Sequence, residues 1–278
     1  MKGTVHYEVK DGVAILTVDN PPVNPLSDGV RAGLVDNIKK AEDDSDIIGV
    51  VLTGAGRSFI AGADISEFGK SPDGPGLDEA FKSLEFCSKP VVAAINGSAL
   101  GGGLETALVC NYRIAGPAAF VGLPEVNLGL LPGAGGTQRL PRLVGPAEAL
   151  KMMLTGMHVN AKKALDMGII DEISDDLIND SVNFVKKVSS ESGDHPKVRD
   201  LNEKVLEARG SENILLEAKA MAAKSRKGQF APGQIIKCVE AAINLDDFDE
   251  GMKKESDYFI ECLVNPQREA MIHIFFGE

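Results

Sequence analysis

Two glutamates, Glu105 and Glu125, stand in surroundings that do not suit a charge. Glu105 follows three consecutive glycines in "GSALGGGLE" and shares its run with Leu104, Ala107, Leu108 and Val109. Glu125 lies in "GLPEV", between Leu123 and Val126, where Pro124 stops a regular helix or strand from continuing. A carboxylate among apolar neighbours costs free energy unless something satisfies or uses it. Two that meet in a dry pocket have their pKa values driven apart, so one serves as acid and the other as base. The glycines point the same way. Three together weaken a helix interior, so they are not there for helix stability. Following the apolar run 90–96, Gly101, Gly102 and Gly103 would open a helix. The N–H groups at a helix start are unpaired and sit at the positive end of the dipole. Free of side chains, they can approach a substrate oxygen as it becomes negative. "AGAD" (61–64), after the run 47–53, offers a second exposed donor. The chemistry indicated is proton transfer beside a pair of amide donors, an oxyanion hole.

The flanking elements explain how such groups are held. "GVAILTVDN" (12–20) alternates as a strand and ends in the turn "NPPVNP". "RAGLVDNIKKAEDD" (31–44) carries Leu34, Val35 and Ile38 at helical spacing. "IIGVVLTG" (47–54) and "PVVAAING" (90–97) are apolar, β-branched runs of the kind buried inside a sheet, and "YRIA" and "AAFVG" (112–122) supply shorter strands. Strands alternating with helices indicate an α/β fold built from βαβ-type units. From about residue 196 strand-like runs stop. "PGQIIKCVEAAINL" sets Ile235, Ile236, Val239 and Ile243 on one helical face, and "GMKKESDYFIECLV" does the same with Met252, Phe259 and Leu263. The expected organisation is an α/β core over 1–194 and a helical extension over 195–278, joined at "SGDHPK".

Composition narrows the partners. The chain has 278 residues, 44% of them hydrophobic, and a net charge of −12, which disfavours nucleic acid and anionic membrane surfaces. There is no bilayer-length apolar run and no signal pattern in "MKGTVHYEVK", so a cytoplasmic location is expected. Cys87, Cys110, Cys238 and Cys262 are far apart and read as reduced, buried side chains. His6, His158, His195 and His273 have no metal spacing, so no metal is expected. The other glycine motifs fail as nucleotide loops. "GKS" (69–71) has Asp64 where a phosphate loop needs its first glycine, and "GAGRSF" (54–59) and "GAGGTQ" (133–138) lack the third glycine of a dinucleotide fingerprint.

Taken together, "SFIAGADI" (58–65), "GSALGGGLE" (97–105) and "GLPEVNLGLLPGAGGTQRLP" (122–141) resemble the enoyl-CoA hydratase/isomerase family, the crotonase superfamily, in order and spacing over roughly residues 5–190. The tail resembles the segment that joins the hydratase/isomerase part of multifunctional fatty-acid β-oxidation enzymes to their dehydrogenase part. That resemblance implies a crotonase (ClpP/crotonase-like) spiral of ββα turns with an all-helical C-terminal extension. It implies that the N–H groups of Ala63 and Gly102 hold a thioester oxygen and that Glu105 and Glu125 are the acid–base pair. Ile60, Ala61, Asp64 and Ile65 would lie along the CoA moiety, Ile60 standing where a smaller residue is common, and Gly133 would line the pocket near the water. No cofactor is implied, CoA being part of the acyl-CoA substrate.

Since both acids are present, the resemblance favours hydration of 2-enoyl-CoA to 3-hydroxyacyl-CoA. The alternatives are a Δ3-Δ2-enoyl-CoA isomerase, which needs only the glutamate at 125, and a non-catalytic subunit of a β-oxidation complex. A 3-hydroxyacyl-CoA dehydrogenase domain or subunit is the implied partner, the chain being a stand-alone protein or a piece of a longer one. A tail like that of the multifunctional relatives, which folds back on its own core, favours a monomer over a trimer or hexamer. Arg139 and Arg142 read as a helix face, and the stretch 65–86 as the mobile determinant of acyl-chain length.

Overall fold

The computed structural model describes residues 3–67, 74–191 and 193–277. Its strands are β1 (Thr4–Lys10), β2 (Val13–Asp19), β3 (Gly49–Gly54), β4 (Ser58–Ile60), β5 (Val91–Ile95), β6 (Ser98–Leu100), β7 (Tyr112–Ala115), β8 (Phe120–Gly122), β9 (His158–Asn160) and β10 (Glu172–Ile173). The helices are α1 (Asp28–Asp43), α2 (Leu77–Glu85), α3 (Gly102–Val109), α4 (Gly136–Val144), α5 (Pro146–Thr155), α6 (Ala161–Met167), α7 (Leu177–Val188), α8 (Glu203–Glu207), α9 (Glu212–Ser225), α10 (Ala231–Asn244), α11 (Phe248–Val264) and α12 (Pro266–Gly277).

Two sheets result. One has the order β1-β2-β3-β5-β7-β10 and the other the order β4-β6-β8-β9. In the larger sheet only β1 runs antiparallel to its neighbour, pairing with β2 across a tight turn at Asp11 and Gly12. Strands β2, β3, β5, β7 and β10 pair in parallel. Every residue of β3 and β5 is buried, as expected for parallel strands covered on both faces. One face holds Val13, Ile15, Val51, Val92, Ala94 and Ile114, and α7 closes it with Val182 and Val185. Burying each large side chain of this set contributes about 1.5–3 kcal/mol. The short strands recur as pairs: β3 leads into β4 and β5 into β6, with β4 and β6 parallel in the second sheet. The expected α/β class holds, and the strand runs read from sequence all appear.

The chain divides into two compact units, residues 1–121 with 159–197, and residues 122–158 with 198–278. A division at 194/195 follows the chain, but the compact units do not: 122–158 groups with the C-terminal helices. In the second unit α4 and α5 pack on α8, α9 and α10. Helices α10 and α11 lie where their periodicity predicts, yet the fully buried positions of α11 are Phe248, Gly251, Glu255 and Cys262. Met252, Phe259 and Leu263 flank that line and are half-buried. All four cysteines are free and buried. Residues 68–73, part of the stretch read as governing chain length, lie outside the described residues.

Candidate functional site

In the first unit the sites of interest are built by two chain crossings. β5 runs up through the larger sheet, β6 follows, and α3 starts at Gly102 with Gly101 as its N-cap. Gly101 has φ 53 and ψ −126, a conformation that glycine alone adopts without strain. The preceding ββ pair brings "SFIAGAD" alongside. Gly103 permits this approach, since a Cβ there would stand 1.8 Å from the Ile60 carbonyl oxygen. One residue earlier, a Cβ on Gly102 would stand 3.2 Å from the backbone nitrogen of Ala63. The first residue of α3 therefore lies close against the backbone at Ala63. The atom nearest to that Cβ position is apolar, Leu26 Cδ1 at 3.1 Å.

Ala63 is held from the other side by the turn after β2. Leu26 N–H donates to the Gly62 carbonyl at 2.9 Å and Ala61 N–H to the Val23 carbonyl at 3.0 Å, while Leu26 and Ala63 form a parallel bridge. Asn24, only 2% exposed, fixes that turn with its amide, which donates to the Ala55 and Ser58 carbonyls at 2.9 Å each. It sits at φ 55, a left-handed position that Asn tolerates better than most residues. "NPPVNP" is thus more than a turn; it positions the segment that carries Ala63. Sequence reading missed Asn24, because the carbonyls its side chain binds, those of Ala55 and Ser58, belong to a distant segment of the chain.

Glu105 lies in the first turn of α3 and is 3% exposed, with its N–H donating to the Gly101 carbonyl at 3.0 Å. All eight residues of α3 are buried, so this carboxylate sits in a buried helix whose other residues, Thr106 apart, are apolar or glycine, three residues after Gly102. Ile60 is fully buried and Ala61 half-buried. Asp64 accepts the Glu67 N–H through its carbonyl at 3.0 Å, and Ile65 begins a short 3-10 turn (Ile65–Glu67). The first unit therefore brings together Ala63, Gly102 and, one turn on, Glu105.

Glu125 and Gly133 belong to the second unit. Glu125 starts a 3-10 turn, Glu125–Leu128, closed by Gly129 in the left-handed conformation. It is half-buried. Gly133 precedes α4, and a Cβ on it would stand 2.4 Å from Cδ2 of Phe259, so its Cα faces that ring. The loop between it and α4 is held by Glu255. That fully buried carboxylate accepts Gly135 N–H at 2.7 Å, Thr137 N–H at 3.1 Å and the Thr137 hydroxyl at 2.5 Å. It serves as the acidic cap of α4, where the helix dipole favours negative charge. Glu255 was not singled out from sequence, although it lies three residues after Met252 and four before Phe259, on the stripe read as apolar.

Arg139 and Arg142, read as a helix face, are each 4% exposed. Their guanidiniums stack over the Phe248 ring at 4.9 Å, joined by Arg199 at 4.6 Å. Burial, with Arg139 and Arg199 close by, lowers the Arg142 guanidinium to about 10. This is cation–π packing, not a solvated face. Among the described residues no cluster of three or more His, Cys, Asp or Glu side chains could hold a metal, and no described helix is long and apolar enough to cross a membrane.

Comparison with known proteins agrees with this architecture. The model of the family described as Enoyl-CoA hydratase/isomerase matches residues 8–231. A peroxisomal bifunctional enzyme of Danio rerio is 39% identical over 274 residues, 98% of this chain and 38% of that one. A glyoxysomal fatty acid beta-oxidation multifunctional protein MFP-a of Cucumis sativus is 38% identical over 294 residues, 100% of this chain and 40% of that one. The chain thus spans about two fifths of the length of these curated relatives. Among solved structures, an enoyl-CoA hydratase/isomerase from Pseudoalteromonas atlantica T6c superposes with a TM-score of 0.73 at 26% identity, covering 99% of this chain and 97% of that one.

Proposed function

We propose, from the premise that this chain belongs to the enoyl-CoA hydratase/isomerase family, that it hydrates 2-enoyl-CoA to 3-hydroxyacyl-CoA in fatty-acid β-oxidation. One observation carries the reading: the Ala63 amide nitrogen lies 3.2 Å from where a Cβ on Gly102 would be. A thioester oxygen in that space would face two N–H donors. When water adds to C3 the double-bond electrons move toward the carbonyl, and the oxygen becomes enolate-like. Donors already fixed in place stabilise that charge without reorganisation, and losing one typically costs about 10²–10³ in rate.

In this reading Glu105 and Glu125 are the acid–base pair. One carboxylate takes a proton from the attacking water as its oxygen bonds to C3, and a proton is delivered to C2, so the net change is the addition of one water. The burial of Glu105 supports its role, because a carboxylate kept in an apolar helix is costly unless the fold uses it. Backbone around Ile60, Ala61, Asp64 and Ile65 is the proposed track of the CoA moiety, with Gly133 near the water. No cofactor is proposed beyond the CoA that the substrate carries.

Isomerisation of 3-enoyl-CoA is the second activity we propose, since the matching family description joins hydratase and isomerase and one glutamate suffices to move a proton between C2 and C4. We further propose a cytoplasmic monomer that works with a 3-hydroxyacyl-CoA dehydrogenase domain or subunit; the relatives named peroxisomal and glyoxysomal make organelle fractionation the informative comparison. The test of the activity is direct assay with crotonyl-CoA, hexenoyl-CoA and a 3-enoyl-CoA. Turnover of none of them, with tight binding to a dehydrogenase, would instead indicate a non-catalytic subunit.

A further inference from the structure

The turn that carries Glu125 is short, running from Glu125 to Leu128 and closed by Gly129. Its internal bonds are Asn127 N–H to the Pro124 carbonyl at 2.9 Å, Gly129 N–H to Val126 at 3.2 Å and Leu130 N–H to Glu125 at 3.1 Å. The turn also packs against α5 and α12, and among its outside contacts is one side chain remote in sequence. Arg226, at the C-terminal end of α9, donates from Nη2 to the Asn127 Oδ1 at 2.7 Å and to the Thr155 carbonyl at 2.7 Å, and from Nε to the Leu154 carbonyl at 3.1 Å. Two of these acceptors are the last carbonyls of α5, where a helix favours a cation. The third is the side chain two positions after Glu125. Gly156 completes the arrangement, for a Cβ on it would stand 2.8 Å from the Asn127 Nδ2. Asn127 is therefore held between the end of α5 and a guanidinium that the same helix end fixes.

We propose that Arg226 is the positioning residue for Glu125, acting through Asn127. The proposal deepens the function above and rests on its assignment of proton transfer to Glu125. Arginine is the side chain suited to this place: its planar fork reaches three acceptors at fixed angles, whereas a lysine ammonium is a point donor on a flexible stem. The consequence is catalytic, because a reacting group displaced by ~1 Å loses on the order of 10²-fold in rate. The pair Arg226 and Asn127 is a device for keeping that displacement small.

The test is a double-mutant cycle on the full chain. Arg226→Ala, Arg226→Lys, Asn127→Ala and the double variant Arg226→Ala/Asn127→Ala are assayed for hydration of crotonyl-CoA, with melting curves for each. Arg226→Ala should lose about ten-fold or more in kcat with KM nearly unchanged, and Arg226→Lys should recover only part of it. Asn127→Ala should cost a similar amount, and the double variant should be no worse than Arg226→Ala, because both act through one contact. Millimolar guanidinium should restore part of the kcat of Arg226→Ala and leave Asn127→Ala unchanged. A folded Arg226→Ala with wild-type kcat, or losses that multiply in the double variant, would overturn the proposal. If Arg226→Ala fails to fold, the comparison of Arg226→Lys with Asn127→Ala decides. Failure of the underlying reading shows elsewhere: a Glu125→Gln variant that hydrates at the wild-type rate removes Glu125 from the chemistry and the proposal with it.

Discussion

The backbone nitrogen of Ala63 lies 3.2 Å from the point where a Cβ on Gly102 would be. Two stretches nearly forty residues apart thus come close together, and a methyl group on Gly102 would sit against the Ala63 backbone in the space we propose for the thioester oxygen. Gly102→Ala should fold, at a cost of about 1–3 kcal/mol for overpacking, because the nearest side-chain atom, on Leu26, can give way. Activity should nonetheless fall by about 10²-fold or more in kcat/KM, since the methyl takes the oxygen's place. Gly103→Ala provides the contrast. Its Cβ would meet the Ile60 carbonyl oxygen at 1.8 Å, backbone against side chain, so loss of the folded state is expected. Thermal melts alongside crotonyl-CoA kinetics separate the two.

Glu105→Gln and Glu125→Gln should have different consequences. Removing either carboxylate should lower hydration by about 10²–10⁴-fold, the usual range for a general acid or base. Isomerisation of a 3-enoyl-CoA, if present, should survive in part in Glu105→Gln and vanish in Glu125→Gln. Equal loss of both activities in the two variants would argue against the division of roles.

Removing the Glu255 carboxylate should act on stability before activity. Three donors from Gly135 and Thr137 would be left in a buried loop. Glu255→Ala is expected to cost about 3 kcal/mol, a fall of roughly 5–10 °C in the melting of a chain this size. A melting temperature within a degree of the parent would show that the cap contributes little.

The thiols give a prediction with a definite sign. Burial pushes Cys87 up to about 11 and Cys110 and Cys262 up to about 12, from an ordinary value of 9.0, and Cys238 higher still. In the fold they stay protonated where the unfolded chain has begun to ionise. Above pH about 9 the unfolded state binds fewer protons, so stability should fall as pH rises. Ellman's reagent at pH about 8 should find no fast-reacting thiol in the folded protein and all four after denaturation. A rapid reaction in the native state would place at least one thiol at the surface.

Much of this molecule is legible from its residues because the relevant signals are local. β3 and β5 are continuous apolar runs, and such runs are buried wherever parallel strands are covered on both faces. Glu105, an acid just after a glycine run, stands out as a candidate from its local sequence alone. Glu255, Arg226 and Asn24 are different. Each is an ordinary polar residue in its own neighbourhood, and its work is done on backbone far along the chain. Their partners are set by tertiary packing, which periodicity does not encode. The same holds for 122–158, whose helices look like a continuation of the α/β core until their apolar faces are matched to α9 and α10.

The most direct measurement of the central claim is hydration of crotonyl-CoA in water enriched in heavy oxygen, followed by loss of the enone absorbance and by product mass. The account predicts 3-hydroxybutyryl-CoA carrying one heavy oxygen at C3, formed by the parent protein and strongly suppressed in Glu105→Gln, Glu125→Gln and Gly102→Ala. Unchanged crotonyl-CoA with the folded parent, or full turnover in all three variants, would contradict it.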